Sequence, residues 1–80
     1  MKPMVASTPR YLVLAEALRA RIEGGALKPG DRLPSEAQLC AANGVSRGTV
    51  VRAIEQLVSQ GFVTRRQGAG SFVANRSLHR

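Results

Sequence analysis

Tryptophan is absent from this chain, cysteine and histidine occur once each, and aromatic residues make up 4% of the 80 positions. Each shortage removes a class of function. One cysteine, Cys40, cannot form an internal disulfide, and a single Cys and a single His give no cluster with metal-ligand spacing. The histidine, His79, lies at the polar C-terminal end, and the five acids include no obvious pair for acid–base work, so catalysis is not expected. Too few aromatics are available for the stacking platform on which single-stranded nucleic acids are bound. No apolar run approaches the ~20 residues of a membrane span. Lys2 is followed by a segment too polar, and too broken by Pro3 and Pro9, for a secretory signal. These features suit a reducing, cytoplasmic compartment, with Cys40 as a buried structural thiol in helical register with Leu39.

Acidic residues are also scarce. Twelve Lys and Arg face five Asp and Glu, for a net charge of +7. The excess is uneven: Arg47, Arg52, Arg65, Arg66, Arg76 and Arg80 stand against Glu55 alone in the second half. Such a half attracts polyanions, with nucleic acid the first candidate and an anionic membrane the second. A chain of this length folds as one small domain and buries only roughly 60% of its unfolded surface, too little to enclose a deep substrate cavity.

The apolar pattern predicts three helices and a hairpin. Thr8-Pro9 reads as the first helix start, with Thr8 as cap and Pro9 at the first helical position. Tyr11, Leu14, Ala15, Leu18 and Ile22 then recur on one face until Gly24-Gly25. Pro29-Gly30 sets a turn before a brief strand at Arg32-Leu33. Ser35, with Gln38 three residues later, makes a capping-box pattern for a second helix running to about Ala42 with Leu39 inward. Asn43-Gly44 turns the chain and Ser46 caps a third helix, whose core face is Val50, Ala53, Ile54, Leu57 and Val58. Residues 62–66 and 71–74 read as strands joined through Gln67-Gly68-Ala69-Gly70. The fold class expected is therefore mainly α with a small β-hairpin, a winged helix-turn-helix. Residues 1–8 read as a flexible arm, 9–75 as the domain, and 76–80 as a frayed tail or the start of a linker.

Two helices joined by a short turn can set the second in the major groove of double-stranded DNA, where residues of its N-terminal end meet base edges. At about 100° per residue, Gly48, Arg52, Glu55 and Ser59 lie opposite the core face, Thr49 and Gln56 flank one side, and Arg47 and Val51 the other. The exposed reading set is thus Arg47, Gly48, Thr49, Val51 and Arg52. Arginine can grip guanine O6 and N7 with two hydrogen bonds, Thr49 can bond a phosphate or cover a thymine methyl, and Gly48 permits close approach. Ser46 leaves free N–H groups at the helix start that favour a phosphate. In the hairpin, Arg65, Arg66, Gln67 and Gly68 form a basic tip able to enter a narrow minor groove. Ser35 can touch a phosphate, although a capping role suffices to explain it.

Three strings, IEGGALKPGDRLPSE from Ile22, GVSRGTV from Gly44 and QGAGSFV from Gln67, resemble the GntR family of bacterial transcription regulators over nearly all of residues 10–74. The resemblance implies a winged helix domain that binds a palindromic operator as a homodimer. It also implies a larger C-terminal domain that senses a small metabolite and relieves or tunes repression; that domain lies beyond this sequence. Carried over by position, the family's DNA contacts fall at Ser35, Ser46, Arg47, Thr49 and Gly68, with their neighbours. This sequence departs from the family pattern at Ala37 and Val51, where arginine is common, and at Ala69, where lysine is frequent. Val51 cannot make a bidentate guanine contact, so the expected operator differs from the family's common one. Two rivals remain: a winged helix used as a protein-interaction module, and the DNA-binding part of an aminotransferase-like regulator. The first would want a near-neutral reading helix, which Arg47 and Arg52 oppose. The second would bring a pyridoxal cofactor in its own domain, and these residues supply no lysine pocket for it.

Overall fold

Polar punctuation decides where each element begins and ends. In the computed structural model, which describes residues 8–75, α1 spans Arg10–Glu23, α2 Glu36–Asn43, α3 Arg47–Ser59, β1 Val63–Arg66 and β2 Gly70–Val73. The starts of α2 and α3 follow the sequence signals. The Ser35 hydroxyl accepts the Gln38 backbone N–H at 3.0 Å, while the Gln38 side chain accepts the Ser35 N–H at 2.8 Å, a complete capping box. The Ser46 hydroxyl accepts the Thr49 N–H at 3.2 Å. Between them Gly44 closes α2 at φ 64°, a left-handed conformation that glycine adopts without the penalty of a Cβ. Ser46→Ala is expected to cost about 1 kcal/mol, read as a fall of about 4–8 °C in melting temperature by circular dichroism.

The start of α1 differs from expectation. Pro9, not Thr8, is the N-cap: it is extended (φ −60°, ψ 145°) and makes no side-chain cap. Its carbonyl accepts the N–H groups of Leu12 and Val13, so Thr8 stands one residue too early to reach them. The arm and tail expected at 1–8 and 76–80 lie outside the described residues except for Thr8, which is exposed.

The core joins the three helices, the segment at Leu33 and the first strand of the hairpin. Leu14, Ala15 and Leu18 of α1, Leu33, Leu39 of α2, Val50, Ala53, Ile54 and Leu57 of α3, and Val63 of β1 form one buried cluster. Tyr11, Ile22 and Cys40 pack against it half-buried, so the thiol is less enclosed than its register suggests. Val58 is 36% exposed; it lies on the edge of the apolar arc near the end of α3 and falls outside the core. Among the described residues no charged side chain is buried.

β1 and β2 pair antiparallel, Val63 opposite Val73 and Arg66 opposite Gly70, each one residue shorter or shifted relative to the sequence expectation. Arg32 forms an isolated bridge to Phe72, and the Leu33 N–H donates to the Ser71 carbonyl at 2.9 Å. The turn at Pro29-Gly30 is closed by the Asp31 N–H on the Lys28 carbonyl at 2.9 Å. The hairpin is thereby tied to the segment that leads into α2, which sets the wing beside the start of that helix.

Candidate nucleic-acid interface

The turn at Gly44 and the cap at Ser46 carry the chain out of α2 and straight into Arg47, the first residue of α3. Its side chain is 81% exposed, and its Nε donates to Glu36 Oε1 at 3.0 Å. Glu36 is the first residue of α2, so this contact ties the starts of the two helices together. The other carboxylate oxygen, Oε2, accepts from Arg65 of β1 at 3.4 Å. Arg65 also lies 3.8 Å from Glu55 of α3. One carboxylate thus joins α2, α3 and the wing.

Strand alternation explains why only one of the wing arginines takes part. Successive side chains of β1 leave opposite faces, so Arg65 shares a side with buried Val63 and turns toward the helices. Arg66 goes to the outer face, where its guanidinium sits 5.2 Å above the Phe72 ring. At the tip, Gly68 adopts φ 80°, and a Cβ there would meet nothing within 4 Å. Its glycine serves the turn and leaves the backbone bare to an approaching ligand. Gln67 is exposed beside it.

The reading set of α3 separates into two groups. Arg47 and Gly48 are exposed at its N-terminal end, and a Cβ on Gly48 would come no closer than 3.9 Å to the Ser46 hydroxyl. Thr49 is half-buried with its hydroxyl 3.1 Å from that of Ser46, and Val51 is half-buried. Arg52 is drawn to the other flank, where its guanidinium stacks 4.3 Å from the ring of Tyr11 on α1. Ser35, Glu36, Arg65, Arg66, Gln67 and Gly68 line one shallow cleft between the wing and the start of α2. The structure therefore joins Arg47 and Arg65 through Glu36, sets Ser35, Gln67 and Gly68 along the adjoining cleft, and holds Arg52 apart.

Sequence reasoning did not select Glu36 or Arg32. Glu36 stands eleven positions from Arg47 and 29 from Arg65, beyond the reach of local spacing, and its sign is opposite to that sought for DNA contacts. Arg32 lines the same cleft, with its guanidinium against Gly70. The local signal for it was a basic residue on the strand that pairs with the wing. Among the described residues no three His, Cys, Asp or Glu gather as a metal site, and no helix is long and apolar enough to cross a membrane.

Three helices with a tight turn between the second and third, completed by a basic antiparallel hairpin, define a winged helix. Residues 10–73 match the family model described as bacterial regulatory proteins, gntR family, and the chain belongs to that family. Among its relatives are the histidine utilization repressor of Klebsiella aerogenes, 42% identical over 91% of this chain, and the mannosyl-D-glycerate transport/metabolism system repressor of Escherichia coli, 46% identical over 81%. The chain covers 30% and 27% of those two proteins. The fold superposes on that of AraR(DBD) solved in complex with operator ORE1, with a TM-score of 0.82 and 40% identity, covering 84% of this chain and 82% of that one.

Proposed function

We propose that this chain is the DNA-reading domain of a transcription regulator, a repressor that binds a palindromic operator as a homodimer and answers to a small metabolite through a domain outside this sequence. The observation that carries the reading is the placing of an exposed Arg47, at the start of α3, beside the basic wing on one face. On this reading α3 enters the major groove and the hairpin meets the adjoining groove or backbone. The names of the two relatives and the operator-bound AraR domain support it. Arg47, Gly48, Thr49 and Val51 are assigned to base edges. Ser35, Ser46, Arg66, Gln67 and Gly68 are assigned to the backbone, Arg65 to the wing's groove, and Arg52 to a flanking phosphate beside Tyr11. The domain works by binding alone, without catalysis or cofactor, in the cytoplasm.

The test is selection from a random duplex pool at about physiological salt, followed by sequencing. Enrichment of a palindrome with two close half-sites is expected. Salt-sensitive binding without enrichment would show that this chain alone grips only the backbone. Arg66→Ala should lower affinity on every sequence and flatten the plot of log affinity against log salt by about one unit. An unchanged slope would remove Arg66 from the interface.

A further inference from the structure

We propose that Glu36 is a specificity-determining positioning residue, which aims Arg47 of the reading helix and Arg65 of the wing at fixed places on the DNA. The inference rests on the DNA-binding reading above and adds to it a residue whose charge opposes DNA.

The geometry fits that role. Both partners of the Glu36–Arg47 contact stand at helix starts that are themselves fixed. Glu36 follows the closed capping box at Ser35 and Gln38, and Arg47 follows the Ser46 cap. The contact to Arg47 is made through Nε, at 3.0 Å. That leaves both terminal amino groups of the guanidinium, the planar pair best suited to guanine O6 and N7, unengaged by Glu36 on a side chain that is 81% exposed. An exposed arginine otherwise samples many rotamers, and ordering one on binding costs side-chain entropy. Glu36 restricts that freedom beforehand, and its second oxygen fixes Arg65 relative to the same point.

The charge arithmetic adds a second effect. Arg47 and Arg65 are matched by Glu36 and Glu55, so the junction between reading helix and wing is close to neutral while the rest of the chain is strongly basic. A neutral junction is attracted weakly to phosphates at random and gains most where base edges accept the displayed donors.

Glu36→Gln keeps the shape and removes the charge. The test repeats the duplex selection with the unsubstituted chain, Glu36→Gln, Arg47→Ala and Arg65→Ala, and compares base preference position by position. Circular dichroism confirms that each variant is folded. For Glu36→Gln, preference is expected to relax at the positions that Arg47→Ala or Arg65→Ala relaxes. Affinity for a random duplex is expected to rise about two- to fivefold, the scale of one exposed ion pair. Relaxation at a different position would mean that Glu36 itself accepts from a base, which overturns the positioning role. Unchanged preference, or a fall in random-duplex affinity, overturns it as well. Failure of the unsubstituted chain to bind any duplex would instead defeat the DNA-binding reading on which it stands.

Discussion

Leu57→Ala is expected to cost about 2–5 kcal/mol, enough to leave a large part of the chain unfolded at ambient temperature. Leu57 is fully enclosed, at 0% exposure, where α3 faces the rest of the core. Truncating it removes apolar contact and leaves a hole that three short helices and a hairpin can close only in part. The size of the effect matters because a domain of this length draws little more than ~3–5 kcal/mol from its single core. Urea titration followed by circular dichroism measures it directly, since the midpoint falls while the slope stays constant if the native and denatured states keep their compactness. Val58→Ala, one position along the same helix but 36% exposed, should stay within about 0.5 kcal/mol of the parent. Equal effects at the two positions would mean that the α3 face is assigned wrongly.

That pair of neighbours shows how far the sequence carries. Helical spacing places Leu57 and Val58 on the same apolar arc, yet only packing against α1 and β1 decides where the core stops. Local chemistry was the more legible part. Ser35 with Gln38, Asn43 with Gly44, and Ser46 each act within four residues, so the boundaries of α2 and α3 could be read directly. The start of α1 was misplaced because Thr8 and Pro9 offer two neighbouring caps, and the backbone of Pro9 takes the role without a side chain. For the candidate site, a helical wheel gives the direction of a side chain but not its partner. It put Arg52 outward, which is correct, but could not show that Tyr11 waits there. Nor could it show that one glutamate would gather Arg47 and Arg65 from elements distant in sequence. Those contacts depend on how α1 and the wing dock on α3.

Arg47→Ala is expected to remove about 1–3 kcal/mol of discrimination at one base position, roughly five- to 150-fold in the ratio of operator to random-duplex affinity. The same substitution should barely change folding stability, and this separation is what identifies a binding residue. Arg47 stands in the first turn of α3, where the partial positive charge of the helix end disfavours a cation, and that turn holds no acid to offset it. Alanine relieves that repulsion while losing a surface ion pair to Glu36 worth about 0–1 kcal/mol, and the two changes oppose each other. A cation that gains so little net stability where it stands, and is 81% exposed there, is better explained by what it meets than by what it stabilises. Arg19→Ala is the control. That guanidinium is engaged by Glu16 and Glu23 on α1 and lies 6.0 Å from the Phe62 ring, away from the reading face, so duplex binding should be unchanged. Equal losses for Arg47→Ala on operator and random duplexes would move Arg47 from the base edges to the phosphates. A drop in stability matching the loss of binding would make it a structural residue.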